Sequence, residues 1–159
     1  MGQIVDSKYL AELSRKLKSQ KNKIVLAGGC FDILHAGHIE FLKKAKDAGD
    51  ALVILLESDE KIKELKGKNR PINTQRDRAI ALSNLPMVDY VIGLPHLKSD
   101  GDYEILVKML EPDIIAVTAG SKVYDWERVY TNRTGSRIVE VIERLSDYST
   151  SKLADSMKL

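Results

Sequence analysis

A chain of 159 residues with 43% apolar and 30% charged side chains can bury one substantial core, and this composition excludes a disordered or fibrous protein. Its 25 basic and 23 acidic residues leave a net charge of +2, which argues against a nucleic-acid partner. The basic cluster KELKGKNR is short and broken by glycine, and reads as a loop with local phosphate-binding potential. A polar N-terminus, no apolar run near the roughly 18 residues of a membrane span, and a lone cysteine, Cys30, that cannot form an internal disulfide predict a cytoplasmic protein with no membrane partner.

In chain order, SKYLAELSRKLKSQ sets Leu10, Leu13 and Leu17 on one helical face behind a cap at Asp6 or Ser7, so residues 1–22 are expected to form a leading helix. KIVLAGG is a short buried strand ending in glycines. GHIEFLKKAKDAG is a helix with Ile39, Leu42 and Ala45 at helical spacing, closed by Gly49. ALVILLE is a second buried strand. KIKEL predicts a short helix, and TQRDRAIALSNL another opened by Asn73 or Thr74. The strands DYVIG, DIIAVT and SRIVEVIE follow, with the helices DYEILVKML and WERVYTNRTG between them, and YSTSKLADSM opens with hydroxyl residues suited to capping a final helix.

This alternation predicts an α/β fold: a Rossmann-like, doubly wound parallel sheet of about five strands with helices on both faces. Ligands of such sheets bind at the carboxyl ends of the strands, near the switch in strand order. Gly28 to His38 lies at one strand end, and ESDE, TAGS and DYSTS follow others, so loops distant in sequence are expected to converge on one site.

The stretch LAGGCFDILHAGH, Leu26 to His38, concentrates the chemistry. Gly28 and Gly29 let the backbone approach a ligand closely. The following helix starts near Ala36 or Gly37, and its free N–H groups and positive dipole end favour a phosphate. His35 and His38 stand at that end, where imidazoles donate to phosphate oxygens. Alone, the two histidines read equally well as surface polar groups. A metal site is not read here: His96 is distant in sequence and Cys30 reads as packed. Neither G-x-G-x-x-G nor G-x-x-x-x-G-K-[ST] is present, which argues against a dehydrogenase and a P-loop kinase.

Taken together, GGCFDILHAGH resembles the HxGH signature of the cytidylyltransferase-like nucleotidyltransferase superfamily. The likeness continues through RPINTQRDRAIALSNLPMVDYVIG, PDII and YSTSK, from about Lys23 to the end. It is strongest to adenylyltransferase domains that make ADP-heptose, with glycerol-3-phosphate cytidylyltransferases and archaeal FMN adenylyltransferases as relatives.

The resemblance implies one nucleotidyltransferase domain over 1–159 that joins an NTP, with Mg²⁺, to a phosphorylated acceptor and releases pyrophosphate. It implies catalysis by His35, His38 and Lys46. Nucleotide contacts would come from Gly28, Gly29, Cys30, Phe31, Asp32, Gly37, Arg78, Gly120, Ser149, Thr150 and Ser151, although Phe31 also reads as core, Asp32 as a loop organiser or Mg²⁺ ligand, and Arg78 as a structural ion-pair partner. Acceptor contacts would come from Arg70, Thr118 and Lys122. Asp89 reads as structural. A homodimer is expected. Thr118 and Ala119 stand where the heptose enzymes carry lysine and glycine, with Lys122 as a substitute charge, and the usual sugar-kinase fusion is expected to be absent. Other acceptors, such as glycerol 3-phosphate with CTP or FMN with ATP, stay open. So does a nucleotide-binding regulator without turnover.

Overall fold

The structure, a computed structural model, describes residues 1–121 and 125–143. It begins with strand β1 (Gln3–Asp6), a 3-10 turn (Ser7–Tyr9) and helix α1 (Leu10–Ser19). Then come β2 (Ile24–Gly29), α2 (Ala36–Asp47), β3 (Ala51–Leu56), α3 (Asp59–Lys66), α4 (Gln75–Ser83), β4 (Tyr90–Gly93), α5 (Asp100–Leu110), β5 (Ile114–Thr118), α6 (Asp125–Thr134) and β6 (Arg137–Ile142). The strands form one parallel sheet in the order β1-β4-β3-β2-β5-β6.

The sheet is apolar on both faces. Along β3, Ala51, Val53 and Leu55 join a core with Leu10, Leu13, Leu17, Val107 and Leu110 of α1 and α5. Leu52, Ile54 and Leu56 join a second core with Phe41, Leu42 and Ala45 of α2 and Ala79 and Leu82 of α4. A strand buried on both sides must be apolar at every position, which is why ALVILL is legible as a strand without polar alternation.

The doubly wound parallel sheet is as expected, and to the about five strands read from the sequence it adds β1, an edge strand that precedes the leading helix within residues 1–22. Gln3 donates its N–H to Asp89 O at 2.8 Å and Gly2 to Ser83 O at 2.7 Å. Three of the four β1 residues are exposed, so no apolar alternation marks the strand. Gly2 lies so close to the segment leading into β4 that a Cβ there would meet Val88 O at 2.5 Å. The helix itself follows as expected, with Leu10, Leu13 and Leu17 buried.

Strand order reverses between β2 and β5, the crevice where ligands of open α/β sheets bind. The β2–β5 ladder pairs only Val25 with Ile114 and Leu26 with Ile115, so the two strands are unzipped toward their carboxyl ends. Ser58 caps α3 through the Lys61 N–H and Thr74 caps α4 through the Asp77 N–H. Helix α2, which starts at this crevice behind His35, has no side-chain cap.

Candidate active site

The loop from β2 to α2 is built around a tight backbone. Phe31 holds a left-handed φ of 45°, and its ring lies against Gly29, where a Cβ would come within 2.9 Å of it. The ring is buried in the core beneath α2. The Phe31 side chain accordingly serves as core and support, the second of its two readings: its ring backs that of His38 at 5.2 Å. His38 stacks on His35, with centroids 3.8 Å apart. Both rings sit at the first turn of α2, whose leading N–H groups and dipole attract an anion. Gly37 lies in that same turn, and Gly28 is exposed at the end of β2.

The electrostatics suit this candidate site to an anion. Burial first, then the charges of His35 and Lys66, push His38 down to about 4, against a backbone hydrogen bond at Ile33. Burial and Lys66 also lower His35. Burial raises the Cys30 thiol, with Lys66 opposing, so the sulfur is not a ready nucleophile. A polyanion among these groups relieves the cationic repulsion and favours protonated imidazoles. Lys66, at the end of α3, was not singled out as a residue by sequence reasoning. Its signal was the KELKGKNR cluster.

Three expected ligand arms are committed elsewhere. The Asp32 carboxylate is fully buried and accepts from Arg70 Nε at 2.7 Å and from the N–H groups of Ile72 and Asn73 at 2.9 Å. Burial alone would raise this carboxyl, but these donors hold it below the usual range. With its lone pairs engaged and no exposed surface, Asp32 organises the loop and offers no Mg²⁺ ligand. Arg70 is correspondingly corrected from an acceptor contact to the buried partner of Asp32. Arg78 is buried too. Its guanidinium donates to Asn73 O at 3.1 Å, Cys30 O at 2.5 Å, Glu57 O at 2.8 Å and Asp59 Oδ1 at 2.8 Å. The structural reading of Arg78 thus holds, and its nucleotide contact is corrected: it ties the loops after β2 and β3 to α4.

Lys46 is corrected as a catalytic residue. It lies in the last turn of α2, which runs back from the crevice, about 16 Å beyond His35 at 1.5 Å per residue. Its ammonium donates to Asp50 O at 2.5 Å and Asp89 Oδ2 at 2.7 Å, and Asp89 also takes the Leu52 N–H. This cluster sits where β3 and β4 begin, and it gives Asp89 its structural role.

Across the crevice, Thr118 ends β5 and its carbonyl accepts the Ser121 N–H in a turn through Gly120, which has φ +67°. Lys122, Ser149, Thr150 and Ser151 lie outside the described residues. Sequence reasoning also missed Glu57, which follows β3 and accepts from the Tyr103 hydroxyl at 3.0 Å to each carboxylate oxygen. A recess of about 530 Å³ bounded by Lys18, Glu111, Asp113 and Tyr130 lies where β5 and β6 begin, and includes none of these crevice residues.

Residues 26–155 match the family model described as cytidylyltransferase-like. The bifunctional protein HldE of Wolinella succinogenes is 39% identical over 158 residues, covering 98% of this chain and 31% of that protein. HldE of Helicobacter hepaticus is 39% identical over 159 residues, with the same two coverages. The chain thus spans about a third of the length of these relatives. The crystal structure of the lipopolysaccharide core biosynthesis protein from Thermoplasma volcanium GSS1 is similar with a TM-score of 0.60 and 33% identity, over 80% of this chain and 99% of that one.

Proposed function

Since this chain belongs to the cytidylyltransferase-like family, we propose that it is a nucleotidyltransferase that moves the nucleoside monophosphate of ATP onto heptose 1-phosphate and releases pyrophosphate. The observation that carries this reading is the stacked His35–His38 pair over the uncapped start of α2, at the mouth of the β2–β5 crevice.

The chemistry asks little more of the protein. A phosphate monoester is mostly dianionic near neutral pH, its second pKa being about 6. The acceptor oxygen therefore attacks the α-phosphorus itself. The new O–P bond forms as the bond to the β-phosphate bridging oxygen breaks, and that electron pair leaves with pyrophosphate. His35, His38 and the α2 N–H groups receive the charge that grows on the leaving side. Lys66 adds an exposed cation at the same mouth. Mg²⁺ enters with the NTP as part of the substrate.

ATP and a heptose phosphate are favoured by the HldE relatives together with the motif order of the chain. Thr118 and Ala119 at the carboxyl end of β5 favour a second reading at the acceptor only, with glycerol 3-phosphate (then with CTP) or FMN. Thr118 and Lys122 would then contact the acceptor, Gly120 the nucleotide, and Ser149, Thr150 and Ser151 its triphosphate. The same reading makes the chain one cytoplasmic domain that works as a homodimer on small molecules. No helix among the described residues is long and apolar enough to cross a membrane.

A matrix of four NTPs against sugar, polyol and flavin phosphates, read as pyrophosphate release, tests the proposal. Turnover is expected with ATP and heptose 1-phosphate. Turnover only with another pair moves the acceptor or base assignment, and nucleotide binding without turnover on any acceptor overturns the enzyme reading.

A further inference from the structure

Glu57, the carboxylate that directly follows β3, has no part in the transfer step. Its root is fixed: the N–H donates to Gly29 O at 3.1 Å and the carbonyl accepts Arg78 Nη2 at 2.8 Å. Its tip is fixed as well, because the Tyr103 hydroxyl of α5 stands 3.0 Å from both carboxylate oxygens. A carboxylate offers about four lone-pair sites, and one hydroxyl proton uses few of them. Burial raises the Glu57 carboxyl, while Tyr103, Lys61 and Arg78 counter that rise. The result is a held, half-buried acceptor with capacity to spare beside the Gly28–Gly29 pair.

Its side of the sheet narrows what it could meet. Leu56 points into the core under α2, and Leu55 into the core under α1 and α5. Strand alternation puts Glu57 on the Leu55 side, where Tyr103 packs. The histidines stand on the other side, at the start of α2. In-line displacement sets entering and leaving oxygens on opposite sides of the α-phosphorus. With the leaving pyrophosphate at α2, the Glu57 side receives the entering molecule. A carboxylate repels phosphate, so it addresses the uncharged hydroxylated part of that molecule.

We propose that Glu57, positioned by Tyr103, determines acceptor specificity by accepting hydrogen bonds from hydroxyl groups on the carbon skeleton of the phosphorylated acceptor. This rests on the nucleotidyltransferase reading and deepens it. It holds for a sugar ring, a glycerol or a ribityl chain alike, since each carries hydroxyls near its phosphate. A site built to pair a substrate hydroxyl discriminates strongly against a ligand lacking it.

Titration calorimetry tests this on the full chain. Heptose 1-phosphate, glycerol 3-phosphate and FMN are each titrated into wild type, Glu57→Gln, Glu57→Ala and Tyr103→Phe at saturating α,β-methylene-ATP, and the ATP analogue is titrated alone. For the acceptor that binds wild type most tightly, Kd should rise at least about tenfold in both Glu57 variants and by a smaller factor in Tyr103→Phe. The Kd of the nucleotide should stay within about twofold. A deoxy form of that acceptor should bind wild type and Glu57→Gln alike, a result that general loosening of the fold would not produce.

The proposal is overturned by an unchanged acceptor Kd, by an equal loss for the nucleotide, which would assign Glu57 to the ribose, or by wild type binding no hydroxylated acceptor. Pyrophosphate release by wild type separates the two levels. Turnover with no Glu57 effect overturns the specificity role alone. Acceptor binding that depends on Glu57 without turnover overturns the transfer reaction alone.

Discussion

The His38 ring lies between two others: it stacks on His35 at 3.8 Å and tilts against Phe31 at 5.2 Å. This packing holds the imidazole still at the first turn of α2. A group fixed before the reaction stabilises developing charge without reorganising.

His38→Ala should therefore fold, retain most NTP affinity and lose at least about a hundredfold in kcat, because charge on the leaving pyrophosphate grows only in the transition state. Single-turnover kinetics beside NTP titration checks this. Unchanged kcat in a folded variant removes His38 from the mechanism.

The same burial sets a pH dependence of stability. An unfolded histidine titrates near 6.5, and folded His38 at about 4. Between these values the folded state binds fewer protons, so stability is full above the upper value and falls as pH drops toward the lower one. The loss approaches about 3 kcal/mol at most and levels off below that window. Urea unfolding from pH 8 to 4 should show this slope in wild type and a flatter one in His38→Asn.

Arg78→Lys should destabilise by about 3 kcal/mol, in the range for breaking a buried, hydrogen-bonded charge. An ammonium cannot span Asn73 O, Cys30 O, Glu57 O and Asp59 together. Denaturant midpoints measure the loss. A variant as stable as wild type contradicts the tie between these loops.

Lys46→Ala should leave kcat and both KM values within about twofold and lower stability by about 1 kcal/mol, on the scale of a partly exposed ion pair. Steady-state kinetics with a melting curve checks it, and a large fall in kcat with intact stability would return Lys46 to the active site.

Thr150→Ala should weaken NTP binding by about 1–2 kcal/mol, the scale of a hydrogen bond to a charged group, and leave NMP binding nearly unchanged. Equal weakening for both nucleotides, or a lower Tm alone, would make the STS stretch a helix cap only.

The buried strands were legible because their positions are apolar without interruption, and the helices because Leu10, Leu13 and Leu17 or Leu42 and Ala45 recur at helical spacing. Strand β1 was not, since QIVD at an exposed edge shows no pattern and owes its conformation to β4. The loop LAGGCFDILHAGH was legible as a site, yet residues within and near it have different duties. Sequence shows that an arginine or aspartate is present but not whether its charge is spent internally, as in Asp32–Arg70 and around Arg78. The position of Lys46, away from the crevice, follows from topology. A helix that follows a parallel strand runs back along it, so its last turn cannot share an end with its first.

The short β2–β5 ladder has a bearing on how the crevice is to be mapped. Beyond Leu26 and Ile115 the peptide edges of Ala27, Gly28 and Gly29 toward β5 belong to no ladder. A nucleobase seated there would be met by main chain, and two of those three residues are glycines. Side-chain truncation is blind to such contacts: an alanine scan of the whole mouth would sort out phosphate and acceptor groups and leave the choice between adenine and cytosine unmarked. Base selectivity in this molecule would be encoded by the spacing of two strands, so exchanging the loop after β2 or β5 between relatives with different bases is the experiment with access to it.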